Sequence, residues 1–404
     1  MKIFPKNEHL KLTMRANALL GVWPFIFENN PKLRNIYAIY SRGTFIYYLL
    51  FIISAIIKLF ILICDEVLVI KEIVANLCIT LLYSVTIMRV YAIKTPRVKG
   101  IIREILVLEQ RILRSEDDKI IAIYNSHASQ SKISNAIFLV NIFLVTALYF
   151  IHPLYVDDLV KYYPSKNLTV IERPLPLSSW FPFDAQKYYL QSYLWHMLDG
   201  SIGASFVTYT DIFSFSLIIF PLGQIKILIH ILSNFEEYAE KVKHQLRCSS
   251  EEASFVTLRE CILKHKEIIR YINEFNTAMR NIMVLDFLQS SLQLASIVLQ
   301  LLVAEINLSN FIYSGQFAFS MFIRLLVYYW YANEIMVQSS DVGYALCASK
   351  WYEQPEKIKK MLITMLMRCN RLLCLEIGPF STMTLGTFLG ILKATYSYMM
   401  VIYK

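Results

Sequence analysis

The sequence predicts an all-α membrane protein with seven transmembrane helices, on the evidence of its composition and of seven long apolar segments. Of the 404 residues, 56% are hydrophobic and 18% are charged, and the mean hydropathy is +0.45. A soluble protein of average composition has about 45–50% apolar and about 25% charged residues. These values exclude a soluble multidomain enzyme and an intrinsically disordered chain. Seven cysteines are too sparse for a disulfide-built secreted domain.

Seven segments are long enough to cross a bilayer, since a helix needs about 20 mostly apolar residues to span a hydrocarbon core about 30 Å thick. The first begins well after the N-terminus and is not followed by a small-residue cleavage site, so we interpret it as a span rather than a signal peptide. The fourth is longer than a bilayer requires, which predicts tilt or continuation beyond the membrane. The segments are residues 44–64, 73–93, 134–154, 192–222, 282–304, 309–331 and 376–401.

The distribution of positive charge predicts the orientation of these spans. The set of segments on one side, starting with the N-terminus, contains 30 Lys and Arg residues, whereas the opposite set contains 6. Because Lys and Arg are retained in the cytoplasm, we expect a cytoplasmic N-terminus and an extracellular C-terminus, and we attribute the net charge of +9 to this asymmetry rather than to nucleic-acid binding. The N-glycosylation sequons at Asn167 and Asn307 both fall in loops that this orientation places outside. G-protein-coupled receptors have the opposite orientation.

The segments between the spans predict helices on the cytoplasmic side and short loops outside. Residues 97–120 and 355–373 repeat apolar side chains at helical spacing among charges, as amphipathic helices do. Residues 223–281 do the same, so we expect spans four and five to continue as helices below the membrane and to meet near Cys248. Four prolines interrupt the outer loop 155–188, which predicts an irregular lid.

The apolar stripes of the cytoplasmic helices need a surface to pack against, supplied either by neighbouring subunits or by one another within a monomer. The predicted organisation therefore has a cytoplasmic N-terminal segment, spans one to four, the extensions of helices four and five, spans five and six, further cytoplasmic helices and the last span. The corresponding boundaries are 1–43, 44–222, 223–281, 282–331, 332–375 and 376–404.

Ionisable residues inside the predicted spans are costly to bury and therefore tend to pair or to line a water path. Asp286 and Arg324 both lie near the inner ends of their spans, so we expect either a structural pair between them or snorkelling of Arg324 to the interface. Lys58 can snorkel outward. We interpret His196 and Asp199 as polar positions facing a wet cavity or a neighbouring helix, without the ligand cluster of a metal site.

One pair of residues has a spacing typical of catalysis. His152 and Asp157 match the His-x4-Asp spacing of glycerolipid acyltransferases, in which His is the base and Asp orients it. A match of two residues is frequent by chance, and no glycine-rich acyl-acceptor motif follows. We therefore expect no catalytic site, and we expect no metal or other cofactor, since Cys369 and Cys374 do not have a zinc-ligand spacing.

Aromatic and scattered polar residues in the outer halves of the spans are typical of a pocket for a small apolar ligand, which has mostly apolar walls and few hydrogen-bonding groups. Ordinary helix packing and an interfacial aromatic belt leave the same pattern in a sequence. The candidate ligand-binding residues are Thr80, Tyr83, Phe143, Thr146, Phe150, Tyr193, Trp195, Phe206, Tyr313, Gln316 and Phe317.

Motifs at both ends of the chain resemble those of insect odorant receptors. Near the N-terminus, residues 21–24 read Gly-Val-Trp-Pro, similar to the Gly-Leu-Trp-Pro of that family. The C-terminal signature is the more specific match and lies in Trp351-Tyr352-Glu353-Gln354, Gly378-Pro379-Phe380, Phe388-Leu-Gly-Ile391-Leu392-Lys393 and Thr395-Tyr396-Ser397-Tyr398. The terminus lacks the Gln-Phe pair of the related gustatory receptors.

The resemblance implies a subunit of a heterotetrameric, ligand-gated, non-selective cation channel formed with the odorant receptor co-receptor. It further implies that span seven lines the pore, that the cytoplasmic helices form an inter-subunit anchor, and that odorant binds among spans two to six. The chain lacks the co-receptor's insertion between spans four and five, which implies the odorant-specific tuning subunit. Alignment on Thr395-Tyr396 implies a gate at Met399, with Tyr398 beside it and Ile402 one turn further on.

No charged residue occurs among the candidate pocket residues, which indicates a neutral volatile such as an ester, an alcohol or a terpenoid. Three alternatives remain open at this point. They are a gustatory-type ligand-gated channel subunit, a metabotropic seven-helix receptor, which requires the opposite orientation, and a polytopic lipid enzyme built on His152 and Asp157. In the lipid enzyme, substitution of His152 abolishes activity.

Overall fold

The computed structural model describes residues 7–23, 30–156, 158–163, 168–303 and 308–403, and these form an all-α fold with two small hairpins. Short 3₁₀ turns at His152–Leu154 and Trp351–Glu353 follow two of the helices. The helices are α1 (Lys11–Leu19), α2 (Pro31–Cys64), α3 (Ile70–Ile93), α4 (Pro96–Arg114), α5 (Asp118–Ile151), α6 (Tyr189–Ser233), α7 (Phe235–Leu246), α8 (Ser250–Val303), α9 (Leu308–Ala348), α10 (Glu356–Cys369) and α11 (Leu385–Tyr403).

Local sequence signals define where several of these helices begin. The Asn30 side chain accepts hydrogen bonds from the first turn of α2, and the Asp117 side chain does the same for α5. Thr95 caps α4, and proline occupies the first position of both α2 and α4. These side chains satisfy backbone N–H groups that have no partner within the helix, and proline lacks that N–H altogether, so each start is stabilised locally.

Four of the described helices are long and apolar enough to cross a membrane, and they contain the first four predicted spans. The helix around the first span begins at Pro31, well before the predicted boundary at residue 44. Predicted span six lies within α9, and the greater parts of predicted spans five and seven lie in α8 and α11. By length and composition, the four helices are Pro31–Cys64, Glu72–Ile93, Asp118–Leu154 and Tyr189–Ser233.

The last span starts later than the sequence predicted. Residues Glu376–Ile377 (β3) pair with Ser381–Thr382 (β4) in a small antiparallel hairpin, and the helix begins only at Leu385. Gly378 turns this hairpin with φ of +58°, a conformation that favours glycine. The expectation of a helix from residue 376 was therefore wrong, because a turn requiring positive φ interrupts the apolar run.

Helix α6 forms the centre of the bundle. From Phe206 to Leu228 almost every side chain is buried, because α1, α3, α5, α8 and α9 surround it. A helix that is apolar on all sides is expected in such a position. By contrast, α2 and α5 keep one apolar face exposed, as helices in contact with lipid do.

The helical extensions predicted for spans four and five are present. Helix α8 runs without interruption from Ser250 to Val303, far below its predicted membrane boundary at residue 282. Helix α6 ends at Ser233, and α7 then leads to a left-handed Arg247 before α8 begins. A reciprocal pair of hydrogen bonds between Ser249 and Glu252, both at 3.2 Å, fixes that start.

The loop 155–188 is more ordered than the sequence predicted. Residues Leu159–Tyr163 (β1) pair antiparallel with Leu168–Glu172 (β2), so part of the expected irregular lid is a hairpin. Lys161 is buried in this hairpin, and its Nζ lies 2.8 Å from a Glu172 carboxylate oxygen. The rest of the lid descends onto the bundle, where the Trp180 backbone N–H donates to the Ser54 carbonyl at 3.1 Å.

Two residues of the motif at 21–24, Gly21 and Trp23, have a structural role. Trp23 is buried edge-on against Phe213 of α6, with ring centroids 6.3 Å apart. Gly21 has φ of +74°, and a Cβ there would lie 2.6 Å from the Ser41 Cα. Only glycine fits this close approach, which attaches the N-terminal segment to α2 and α6.

Candidate ligand cavity and buried charge cluster

An apolar cavity of about 80 Å³ lies among α3, α5, α6 and α9, in the half of the bundle nearer the lid. A second chamber of about 380 Å³ lies directly above it, between the helices and the lid. Ile79, Tyr149 and Leu177 line both spaces, so Leu177 of the lid partly separates them. The remaining lining residues of the smaller cavity are Leu82, Tyr83, Ile142, Val145, Thr146, Phe150, Gly200, Ala204, Val207, Phe317 and Met321.

Two glycines of α6 allow aromatic rings to approach the helix at the cavity. A Cβ on Gly200 would lie 2.8 Å from the Phe150 ring and 3.4 Å from Leu177. A Cβ on Gly203 would lie 2.6 Å from the Tyr83 ring. Since real Cβ atoms do not approach other atoms this closely, the absence of side chains at both positions shapes the cavity.

The cavity wall offers few hydrogen-bonding groups. The Thr146 hydroxyl already donates to the Ile142 carbonyl at 2.8 Å, which leaves it as an acceptor for a ligand. The phenol groups of Tyr83 and Tyr149 are the other polar side-chain groups among the lining residues named above, and none of those side chains carries a charge. Such a wall favours a small neutral molecule, whose apolar surface supplies most of the binding.

The structure brings several of the predicted residues to this site. Tyr83, Thr146, Phe150 and Phe317 line the smaller cavity. Tyr313 lines the outer chamber, where its ring stacks on His152 with centroids 4.1 Å apart. These five residues come from α3, α5 and α9.

Four other predicted residues lie behind the wall. Phe206 stacks on Tyr48 at 4.5 Å, and the Tyr193 hydroxyl donates to the backbone carbonyl of Phe150. The remaining two use their polar groups within the bundle. Thr80 donates to Asn76 Oδ1 at 3.1 Å, and the Gln316 amide donates to Asn141 Oδ1 at 3.1 Å.

Phe143 and Trp195 do not line the cavity, which corrects the expectation for these two residues. Phe143 is 74% exposed and Trp195 is 52% exposed on the outer surface of the bundle. The cavity face of α5 instead carries Ile142, Val145, Thr146 and Tyr149. This i, i+3, i+4, i+7 spacing is present in the sequence, and a selection by residue type, aromatic or polar, did not use it.

The polar pair of α6 faces its neighbours. His196 Nε2 lies 2.7 Å from the Ser179 hydroxyl of the lid, and Tyr47 of α2 donates a hydrogen bond to Asp199. Both residues are buried. Asp199 therefore faces a neighbouring helix, as one of the two interpretations had it, whereas His196 contacts the lid. Asp157, the partner in the proposed acyltransferase spacing, lies outside the described residues.

A cluster of four buried charges, hereafter the charge cluster, lies below the cavity and joins four helices. It consists of Arg89 of α3, Asp211 of α6, Asp286 of α8 and Arg324 of α9. Arg89 lies 2.6 Å from Asp211 and also binds Asp286. Arg324 Nε donates to Asp211 at 2.9 Å, and a second guanidinium nitrogen donates to Asp286. Two positive and two negative charges thus neutralise one another.

The Asp286–Arg324 pair was predicted from the sequence and is confirmed, whereas the roles of Arg89 and Asp211 were missed. Tyr328 adds a hydrogen bond to Asp211 at 3.0 Å, and Ser290 accepts one from Arg324 at 3.1 Å. With these partners every charge of the cluster is paired, as ionisable groups at membrane depth need to be, although Arg89 Nε has no hydrogen-bond partner among the described residues.

Several predicted sites are not described at the level of side chains. Tyr398, Met399 and Ile402 belong to the backbone of α11, but their side chains lie outside the described part of the structure. Asn167 and Asn307 both lie outside the described residues. Within the described ranges, no group of three His, Cys, Asp or Glu residues is placed to hold a metal ion.

The fold resembles that of a solved receptor along nearly its whole length. The structure of the insect olfactory receptor OR5 from Machilis hrabei in complex with eugenol superimposes with a TM-score of 0.76 at 15% identity. The superposition covers 98% of this chain and 97% of that chain. At this level of identity the match shows a common fold.

The relatives found by sequence comparison are also odorant receptors. Odorant receptor Or2 of Anopheles gambiae is 31% identical over 144 residues, covering 36% of this chain and 38% of that protein. Odorant receptor 10 of Aedes albopictus is 28% identical over 193 residues, covering 48% and 49%. The odorant receptor coreceptor of Aedes aegypti is 21% identical over 140 residues, covering 34% and 29%. The matched segments span less than half the length of each of these relatives.

A family model described as 7tm Odorant receptor matches residues 69–396, which is most of the chain. The matched region includes α3 to α10 and the greater part of α11, and therefore the cavity and the charge cluster. This is a family of receptors and not of enzymes. The chain is a multi-pass membrane protein that belongs to the 7tm odorant receptor family.

Proposed function

We propose that this chain is the odorant-binding tuning subunit of a ligand-gated, non-selective cation channel that it forms with the odorant receptor co-receptor. The observation that carries the proposal is the uncharged, aromatic-lined cavity among α3, α5, α6 and α9, which shares three lining residues with the chamber beneath the lid. Membership of the odorant receptor family supports it.

The ligand is a small, neutral, mostly apolar volatile. The wall of the smaller cavity has no charged group to bind an ion, and it offers only hydroxyl groups to orient a ligand. A volume of about 80 Å³ is well below the roughly 300–1,000 Å³ of ordinary ligand sites. Binding therefore requires movement of the rings or of Leu177, which merges the cavity with the outer chamber.

Helix α9 provides a route from the cavity to the pore helix. Phe317 and Met321 of α9 line the cavity, and Phe322 and Tyr329 on the same helix contact Phe388 of α11 with ring centroids 5.5 and 6.1 Å apart. A ligand that binds more tightly when α9 is displaced favours the open state by that difference in affinity. In α11, Met399 forms the apolar gate and closes the pore by dewetting, with Tyr398 and Ile402 nearby.

The proposed channel also requires a defined orientation in the membrane and contacts between subunits. The N-terminus is cytoplasmic, and the loops containing Asn167 and Asn307 face outward, where these asparagines can be glycosylated. The extensions of α6 and α8, together with α10, form the anchor that contacts neighbouring subunits, including the co-receptor. Cations permeate between the α11 helices of the assembled subunits.

The test is expression of the chain with and without the co-receptor, with recording of membrane currents against a broad panel of neutral volatiles. We expect currents only from co-expressing cells, and we expect Phe317→Ala to raise the half-maximal concentration of the best ligand. Phe143→Ala is the matched control, because that ring is exposed away from the cavity. Equal effects of both substitutions at equal surface expression contradict the proposed site.

An epitope placed after Lys404 separates the proposed channel from a metabotropic receptor. In the proposed orientation, this epitope is labelled by antibody in intact cells. Labelling only after permeabilisation contradicts the orientation and favours the metabotropic alternative.

A further inference from the structure

A basic groove of about 790 Å³ runs between α4, α8 and the end of α10. It is distinct from the ligand cavity, which lies at the opposite end of the bundle. The space beside Gly100 of α4 is open, since a Cβ there would meet no atom within 4 Å. The lining residues are Pro96, Arg97, Gly100, Lys266, Ile269, Arg270, Asn273, Glu274, Thr277 and Arg368.

The side chains that line the groove carry a net positive charge. Its lining includes four cationic side chains, Arg97, Lys266, Arg270 and Arg368, against the single carboxylate of Glu274. Arg270 is neutralised by two carboxylates, those of Glu104 at 2.6 Å and of Glu274 at 3.9 Å. Within the described part of the chain, Arg97 and Lys266 have no carboxylate within 4.0 Å and thus keep their charges uncompensated. An anion with several negative charges is the complementary ligand.

The position of the groove along the helices limits the source of that anion. Pro96 and Arg97 follow directly on the end of α3 at Ile93, where the predicted second span leaves the bilayer. On α8, Thr277 and Lys266 precede the predicted span by five and sixteen residues, or about 8 and 24 Å at 1.5 Å per residue. The groove thus begins at the depth of lipid headgroups and extends away from the membrane.

We propose that this groove binds the phosphorylated inositol headgroup of a phosphoinositide in the cytoplasmic leaflet. A headgroup with several phosphates projects further from the bilayer than other phospholipid headgroups and carries enough charge to engage cations on three helices at once. The acyl chains remain in the bilayer beside α3. The ligand joins α4 and α8 to α10, the helix that precedes the hairpin and α11, so its binding stabilises the position of that connection.

The proposal goes beyond odorant recognition and does not require it, although it uses the same predicted orientation. The experiment measures binding of a labelled phosphatidylinositol bisphosphate to the purified full-length chain in nanodiscs. The test variant is Arg97→Gln/Lys266→Gln. The control variant, Arg259→Gln/Lys360→Gln, removes the same charge from exposed positions outside the groove.

Each cation near an anionic lipid contributes about fivefold in affinity, so we expect the test variant to bind at least tenfold more weakly and the control variant to match the wild type. Equal binding by the test variant overturns the proposal. Equal binding of phosphatidylserine by the wild type does so too, because that result indicates only nonspecific attraction to anionic lipid. Equally tight binding of soluble inositol trisphosphate overturns the assignment to a membrane lipid.

Folding of the variants is checked by their elution in size-exclusion chromatography. If the double variant does not fold, the single change Lys266→Gln at an exposed position of α8 replaces it, with an expected loss of about fivefold. The comparison of lipids on the wild type needs no variant. Because the readout is binding and not current, failure of this proposal leaves the proposed channel function unaffected, and failure to record current leaves this test intact.

Discussion

Arg324 lies one helical turn beyond Met321 on α9, so the floor of the ligand cavity and the charge cluster are consecutive turns of one helix. A shift of Met321 therefore acts on a guanidinium that also binds Asp211 of α6 and Asp286 of α8. The cluster holds these three helices in register with α3. It sets how far α9 can move without losing a buried ion pair.

Arg324→Met should destabilise the receptor strongly, because it leaves Asp211 and Asp286 sharing Arg89 alone. Removing one partner of a buried ion pair costs about 3–5 kcal/mol. We expect a lower Tm of the purified protein and reduced surface expression. Arg324→Met/Asp211→Asn removes one charge of each sign and should recover at least half of the lost stability. If the loss in the double variant equals the sum of the losses caused by the Arg324 and Asp211 substitutions made singly, the two residues are not coupled.

Gly200→Ala should reduce sensitivity to the ligand. The new Cβ would lie 2.8 Å from the Phe150 ring, so the ring must move into the cavity or displace Leu177. We expect the half-maximal ligand concentration to rise at least tenfold, as measured from membrane currents. The control is Gly43→Ala on α2, where a Cβ meets no atom within 4 Å. An unchanged response with Gly200→Ala would place ligand binding elsewhere.

The architecture was predictable because lipid imposes a simple requirement, a run of about 20 apolar residues, on every spanning helix. The start of α11 was not predictable in this way. The apolar run contains Gly378, whose positive φ forms a turn before the helix, and this turn leaves the apolar composition of the run unchanged. Which residues meet at the cavity and at the charge cluster depends on how the helices pack against one another. Asp286 and Arg324 could be paired from their similar depth, but which other helices would reach them depends on rotation about each axis.

Asp211 nevertheless carried a signal that was overlooked. A carboxylate within a long apolar helix must have a partner, and Arg89 in span two was an intramembrane cation to which no partner had been assigned. The cavity face of α5 could be predicted in the same way. If Thr146 faces the cavity, helical spacing places Ile142, Val145 and Tyr149 on the same face. Phe143 then lies on another face of the helix, where it is exposed. Glycines such as Gly200 could not be assigned in advance, because the reason for them is the ring of Phe150 on another helix.

His265 of α8 should make the stability of the cytoplasmic helices depend on pH. Burial, with the nearby positive charge of Arg368 adding to it, lowers the pKa of His265 to about 4, from an ordinary value of 6.5. The folded state therefore keeps this ring neutral while the unfolded state binds a proton below pH 6.5. The contribution of the neutral His265 ring to the free energy of unfolding is therefore present above pH 6.5. This contribution falls by up to about 3 kcal/mol as the pH drops to 4.

The check is the Tm of purified protein measured between pH 7.5 and pH 4.5. His265→Gln should show a smaller loss of Tm on acidification than the wild type. His244→Gln, at an exposed position of α7, should leave the wild-type dependence unchanged. Parallel curves for His265→Gln and the wild type would mean that this ring does not carry the dependence.

The proposed gate at Met399 can be tested with a cysteine that reacts only when water reaches it. Exposed Cys64 is first replaced by serine, so that the outer end of α2 does not react. In that background, Met399→Cys should be modified by a charged thiol reagent applied from outside, and faster in the presence of ligand, because opening hydrates an apolar constriction. Met367→Cys is the control, since α10 exposes this residue on the predicted cytoplasmic side, beyond the reach of an external reagent. Modification is followed as an irreversible change in current. A Met399→Cys channel that resists the reagent both with and without ligand would show that this turn of α11 does not border the water-filled pathway.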